Sequence, residues 1–157
     1  MELFIVTQYQ QNVLSPIGNL VVSASDKGIT SVFFQSEINE IGNQHTEQGV
    51  QQLTEYFNKH RKVFELTLDL QGTDFQRQAW QALMDIPYGE TRSYQQQASS
   101  INNAKAVRAI GMANGRNPIS IIVPCHRVIG SNGKLTGYAG GIDKKQWLLQ
   151  HEGVLLI

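Results

Sequence analysis

The chain predicts an α+β protein in two parts: a small mixed N-terminal lobe with an antiparallel sheet, then a mainly helical domain containing a helix-turn-helix. Three observations carry this prediction. Strand-like apolar patterns prevail up to about residue 70, capped helical patterns prevail after it, and the charge changes sign at the same place. Residues 1–70 hold four Lys/Arg against eight Asp/Glu, a net of −4, whereas residues 71–157 hold nine against five, a net of +4. That asymmetry reads either as scatter or as a second half that meets a polyanion. Charge alone does not choose.

In the first part, "GNLVVSAS" (18–25) and "GITSVFFQ" (28–35) flank Asp26-Lys27-Gly28, the pattern of two strands and a hairpin turn. "TEQGVQQLTEYFNKH" (46–60) places Val50, Leu53 and Phe57 at helical spacing. "KVFELTLDL" (62–70) alternates Phe64, Leu66, Leu68 and Leu70 as a half-buried strand does. His45 and His60 read as surface residues of a loop and a helix end. With one cysteine in the chain and no paired histidine spacing, no zinc motif is present.

The second part begins at Gln71-Gly72. Thr73-Asp74-Phe75-Gln76 fits a capping box, and Phe75, Ala79, Leu83 and Ile86 mark the apolar face of the helix that follows, which Pro87-Tyr88-Gly89 ends. Ser93 can cap a short helix, "YQQQASSI" (94–101), and Asn102-Asn103 offer a turn and a new cap for "AKAVRAIGMANG" (104–115). Two short helices across a tight polar turn suggest a helix-turn-helix. On the second helix Arg108 stands among Ala104, Ala106, Ala109, Gly111 and Ala113. Glycine inside a helix costs about 1 kcal/mol against alanine. Either close packing on a neighbouring helix or close backbone approach to a ligand would account for it. "ISIIVP" (119–124) reads as a buried strand that ends at Cys125, "GSNGKLTGYAGG" (130–141) as a glycine-rich loop, mobile unless pinned. "DKKQWLLQHEG" (143–153) reads as a closing helix with Asp143 as cap, Trp147 and Leu148 inward, and Gly153 as its stop.

With 157 residues, 41% of them hydrophobic and 17% charged, the chain matches an ordinary soluble globular protein. The opening "MELFIVTQYQ" has no secretory pattern, no apolar run approaches the ~20 residues of a membrane span, and one cysteine forms no internal disulfide. A cytoplasmic protein is expected.

That cysteine stands in "PCHRV", with His126 and Arg127 directly after Cys125. A thiol attacks as its thiolate and needs a base or a positive environment to become one. His126 is a candidate base, but neighbours in an extended chain point to opposite sides, so a bridging water is the expected link. An imidazole acting as base also wants an acid behind it, and Glu152 is one candidate.

"NPISIIVPCHRVIGSNGKLTGYAGG", with "YGETRSYQQQA", "AVRAIGMANGRNP" and "QWLLQHEG", resembles the signature of the O6-alkylguanine-DNA alkyltransferases, the suicidal methylated-DNA–protein-cysteine methyltransferases. The resemblance runs from about Phe75 to Gly153, while the first lobe is only broadly compatible with the family's variable N-terminal domain. It implies a division into an N-terminal α/β lobe (1–70) and a C-terminal DNA-binding and alkyl-transfer domain (71–157).

It also implies that a flipped O6-alkylguanine, and O4-methylthymine too, gives its alkyl group irreversibly to Cys125, which is linked through water to His126 and Glu152. Asn117 would brace the active-site turn, Tyr94 would contact the flanking phosphate and lie near guanine N3, and Lys145 would assist proton movement near the tyrosine. Val128, Tyr138 and Ala139 would hold the base, with the Ala139 amide facing O6. Arg108 would fill the vacated stack, with Tyr94, Gln95, Ala106, Ala109 and Gly111 along the DNA. Where this chain has Ala139 some relatives carry serine, so only the backbone N–H remains for that contact. The resemblance implies a monomer acting on duplex DNA, without membrane, metal or cofactor. Two alternatives share parts of the pattern. A lesion binder without transfer would lack the cysteine, and a cysteine hydrolase would regenerate its thiol.

Overall fold

The computed structural model describes residues 8–156; the reading of the opening residues falls mainly outside that range. Contacts divide the chain into two compact units, which part between Leu70 and Gln71.

In the first unit, β1 (Tyr9–Ser15), β2 (Gly18–Ala24) and β3 (Ile29–Phe34) form an antiparallel sheet in that order. β1, "YQQNVLS", is the strand that the pattern hides, because Val13 is the one residue in it that is fully buried. It is an edge strand, where polar side chains are tolerated on both faces. Helix α1 (Gln44–Phe57) starts earlier than its apolar spacing suggests, because Asn43 and Thr46 form a reciprocal capping box. His45 therefore lies in the first helical turn and not in a loop. Leu53, Tyr56 and Phe57 carry the helix onto a core that includes Leu20, Val22 and Val32.

Residues 62–70 are not a regular strand. Burial alternates as expected, with Phe64, Leu66 and Leu68 half-buried and Glu65 and Thr67 exposed. Pairing reduces to one bridge, Ile29 to Leu68, with the Ile29 N–H donating to the Thr67 carbonyl at 2.9 Å. Alternation reports which side is covered, not whether a ladder runs alongside.

The second unit is mainly helical. Helix α2 (Asp74–Met84) has the expected Thr73–Gln76 capping box, and α3 (Tyr94–Ser100) is capped by Ser93 with Gln96. Helix α4 (Val107–Gly115) begins three residues later than the sequence suggests. Asn102 adopts a left-handed φ of 57° and the Ala106 N–H donates to the Asn103 carbonyl at 2.9 Å, so the chain turns where a cap was expected. Ala79, Ala98, Ile110 and Ala113 form the joint core of the three helices, small enough for close approach. Inside it Gln97 and Asn114 exchange side-chain amide bonds of 2.9 and 2.7 Å, and the Trp80 indole donates to the Ala113 carbonyl. These bonds fix the register of α3 against α4, since any slip would orphan buried polar groups.

The run 119–124 is buried but is not a strand. Pro118 and Pro124 supply no N–H, and several of the segment's backbone bonds are local. Ile122 N–H donates to the Ser120 carbonyl at 2.8 Å around Ile121, whose φ is +72°. Cys125 N–H donates to the Val123 carbonyl at 2.8 Å around Pro124. Two such three-residue turns in succession are tight, and a β-branched residue at positive φ stores roughly 1–3 kcal/mol of strain. One 3₁₀ turn, Cys125–Arg127, then leads into β5 (Val128–Ile129), which pairs in parallel with β4 (Arg92–Ser93). Helix α5 (Ile142–His151) is entered through Gly141 without a side-chain cap; Asp143 sits in the first turn instead. Trp147 is half-buried and stacks on His151, whereas Lys145, Leu148 and Leu149 face inward. Gly153, at φ 85°, is the stop that the sequence marks.

Candidate active site

The tight turns exist because Asn117 holds them. Its side-chain N–H donates to the Val123 carbonyl at 2.7 Å, and its carbonyl oxygen accepts from the Ile119 N–H at 3.0 Å. One amide thus clamps both ends of the loop that delivers Cys125, in a region where unpaired backbone groups would be costly. The Cys125 side chain is half-buried at the loop's exit. Burial pushes its thiol up, while the Asn117 side chain, the Lys145 charge and the cysteine's own N–H pull it down. The thiol is therefore held protonated until a base removes the proton.

His126 is completely buried and makes no direct hydrogen bond to Cys125. Its Nε2 lies 2.7 Å from Glu152 Oε2, and its Nδ1 has no partner among the described residues. Burial lowers the imidazole pKa, with Glu152 opposing, so the ring is neutral and donates its Nε2 hydrogen to the carboxylate. That tautomer leaves Nδ1 as an acceptor. A buried acceptor without a protein partner is a place for water.

Glu152 takes more than the imidazole. Arg127 donates from Nε to Oε1 at 2.8 Å and from a terminal nitrogen to Oε2 at 3.1 Å, and the Gly89 N–H reaches Oε1 at 3.2 Å. Burial works against the charge, but the His126 bond and the Arg127 guanidinium outweigh it and hold the carboxyl well below the usual carboxylate range. Gly89 has φ 81°, and a Cβ there would stand 3.1 Å from the Glu152 main-chain carbonyl oxygen, so the "PYG" turn packs its backbone closely against that of Glu152. Arg127 is further fixed by the Ile86 carbonyl at 2.7 Å and lies 5.8 Å above the Tyr88 ring. Neither the Arg127 clamp nor Gly89 is identified in the sequence reading, although arginine directly after His126 was the available signal.

Lys145 is fully buried and spends its ammonium on two carbonyls, Val128 at 2.6 Å and Thr136 at 2.7 Å. Burial lowers its pKa to about 8, with the Cys125 charge opposing. Val128, expected to hold the base, is itself fully buried and offers Lys145 its carbonyl. The glycine-rich loop is therefore pinned, and a second pin joins Thr136 to the Tyr94 hydroxyl at 2.9 Å. The Tyr138 hydroxyl is buried without a well-formed hydrogen bond. Burial pushes its phenol up, Cys125 adds to this, and the nearby Ser120 opposes it. Ala139, next in the loop, is exposed.

The expected DNA-contact residues gather elsewhere. Gln95, Arg108 and Ala109 are exposed on α3 and α4, with Tyr94, Ala106 and Gly111 partly covered. Ala113, by contrast, belongs to the core. An open depression of about 440 Å³ lies between Tyr94, Gln95 and Val107 on one side and Gly130–Asn132 and Thr136 on the other.

Residues 74–154 match the family described as 6-O-methylguanine DNA methyltransferase, DNA binding domain, and residues 9–70 match its ribonuclease-like domain. The methylated-DNA–protein-cysteine methyltransferase of Methanosarcina acetivorans is 47% identical over 88% of this chain and 94% of its own length. The crystal structure of Mycobacterium tuberculosis O6-methylguanine methyltransferase is 45% identical, with a TM-score of 0.84 over 92% of each chain. The same organism's protein solved in complex with DNA gives 46% and 0.83 at equal coverage. On the sequence matches, which span both units, the chain belongs to the 6-O-methylguanine DNA methyltransferase family.

Proposed function

We propose that this chain repairs duplex DNA by flipping out O6-alkylguanine, and O4-methylthymine too, and moving the alkyl group irreversibly onto Cys125. In this reading residues 71–157 carry DNA binding and transfer, residues 1–70 form an accessory lobe, and the protein acts as a monomer in the cytoplasm. The observation that carries it is the buried Glu152–His126 pair, whose free Nδ1 belongs to the residue next to the lone thiol.

A water between Cys125 Sγ and His126 Nδ1 passes the thiol proton to the imidazole, and Glu152 stabilises the resulting imidazolium. Sulfur then attacks the alkyl carbon. The S–C bond forms as the C–O6 bond breaks, and the electron pair goes to the guanine ring. Donors at N3 and O6, here Tyr94 and the Ala139 N–H, bind that charge more tightly as it develops. The product is a thioether, which no group in the site can hydrolyse, so each molecule acts once.

Extrusion of the base costs a few kcal/mol. Arg108, exposed on α4, repays part of it by occupying the vacated stack, and the small side chains beside it let the helix backbone approach the groove. Incubation with a methylated duplex should convert one thiol hydrogen to one methyl group, on the Cys125 peptide, with at most one guanine repaired per protein. Intact-mass and peptide mass spectrometry read this. Cys125→Ser should abolish transfer and leave DNA binding in place, and repeated turnover by the wild type would instead favour a hydrolase.

A further inference from the structure

Thr136 stands where three parts of the site meet. Its hydroxyl oxygen is 2.9 Å from the Tyr94 hydroxyl, its carbonyl accepts from the buried Lys145 ammonium at 2.7 Å, and Tyr138 follows two residues later. Its side chain has no part in the scheme above.

A phenol has one proton and two acceptor lone pairs. If the Tyr94 proton went to Thr136, it could not at the same time serve a substrate. The other acceptor nearby, the Thr136 carbonyl, lies 3.5 Å from the phenol, a distance at which a hydrogen bond is weak, and it already takes the Lys145 ammonium. When Thr136 donates and Tyr94 accepts, the phenol proton is left to point outward, towards the depression that Tyr94 and Thr136 both line.

We propose that Thr136 is a positioning residue for alkyl transfer: it donates its hydroxyl hydrogen to Tyr94 and so directs the Tyr94 proton to the substrate. The proposal rests on the reading of Cys125 as alkyl acceptor and of Tyr94 as donor to the leaving base. As the S–C bond forms and the C–O6 electron pair moves onto the ring, Tyr94 donates more strongly and its oxygen gains negative charge. A hydrogen bond accepted by that oxygen strengthens in step. Lys145 holds the Thr136 main chain, so the hydroxyl is fixed before the substrate arrives.

The test compares wild type, Thr136→Val, Thr136→Ser, Tyr94→Phe and the Thr136→Val/Tyr94→Phe double variant, by single-turnover transfer from saturating methylated duplex. Valine keeps the shape and the carbonyl that Lys145 uses, so the loop pin survives. Thr136→Val should slow transfer roughly 3–10-fold, the range of one hydrogen bond, and Thr136→Ser should restore most of the rate. In the double variant the valine should add nothing to the loss from Tyr94→Phe, because there is no phenol left to orient. A Thr136→Val rate equal to wild type overturns the proposal, as does a serine variant as slow as the valine. A double variant slower than Tyr94→Phe by the full valine factor shows that Thr136 acts through the loop instead, and also overturns it. Wild type without transfer, or Tyr94→Phe at the wild-type rate, removes the reading beneath it, an outcome distinct from the loss of Thr136 alone.

Discussion

The exposed face of α3 and α4 and the buried segment from Asn117 to Val128 are built in opposite ways. On the face, Arg108 and Ala109 are exposed, and the Arg108 guanidinium makes no ion pair among the described residues. In the segment and against it, Asn117, His126, Arg127, Lys145 and Glu152 are all at most 6% exposed, and each is hydrogen-bonded. On the face the side chains are left open to solvent, whereas in the segment they are tied from several directions. The two regions should therefore fail differently when altered.

The largest effect is expected at Glu152. Glu152→Gln keeps the size but removes the charge that stabilises the imidazolium, so transfer should slow by ~10²–10⁴-fold. The same change leaves the Arg127 guanidinium buried without its counter-charge. A cost of about 3–5 kcal/mol in urea unfolding is expected. Loss of rate with stability intact would mean that Arg127 has found another partner and that the carboxylate serves chemistry alone. Transfer at the wild-type rate would remove the relay.

On the exposed face the pattern should reverse. Arg108→Ala should leave unfolding within about 0.5 kcal/mol of wild type, because that side chain is exposed. Transfer from saturating methylated duplex should fall roughly 10–100-fold, part of the few kcal/mol that extrusion costs. A free O6-alkylguanine base needs no extrusion and should react nearly as before. If the saturated duplex rate is unchanged, Arg108 is an electrostatic anchor only, and its loss should appear in the salt dependence of binding.

The same contrast decides what could be read from the sequence. The helix caps at Thr73 and Ser93 were legible, since a capping box is local and needs residues only three apart. That Arg108 projects from its helix was legible, because the residues beside it, Ala106, Ala109 and Gly111, are small. The Cys125 loop was not. "ISIIVP" has the make-up of a strand, and only the Asn117 clamp and the positive φ at Ile121 turn it aside. Both lie within residues 117–123, yet neither shows in a composition that favours a strand. The Arg127–Glu152–Gly89 cluster draws on three stretches far apart in the chain. The late start of α4 had a smaller cause, a left-handed Asn102 that extends the turn.

Acid should distinguish His126 from Glu152 within the buried cluster. Burial lowers the His126 pKa below its ordinary 6.5, so the unfolded chain takes up a proton there that the folded chain resists. The folded state then binds fewer protons, and stability falls as pH drops through about 6.5, by at most ~1.4 kcal/mol per pH unit. Glu152 behaves differently. Its carboxyl is held low, so its contribution is complete above the ordinary 4.5 and is lost only as pH falls towards its folded value. Urea titrations between pH 8 and 4 should therefore show an early decline that His126→Gln removes. A wild-type curve flat from pH 7 to 5 would mean that the imidazole is as easily protonated folded as unfolded.

The smallest effect separates the two explanations for glycine in the middle of α4. A Cβ built on Gly111 would have Tyr94 Cε1 as its nearest neighbour outside the helix, at 4.0 Å, which is ordinary contact. Helix packing therefore does not require glycine there. Gly111→Ala should raise stability by about 0.5–1 kcal/mol, the usual gain for alanine in a helix interior. If the glycine is there so that the backbone can approach DNA, the same methyl group should weaken binding to duplex and leave the reaction with free base unchanged. Stability and affinity would then move in opposite directions for one added carbon. An alanine variant that is more stable and binds duplex as tightly as wild type would show that nothing comes close to Gly111, and the close-approach role of the exposed face would rest on Ala106 and Ala109 alone.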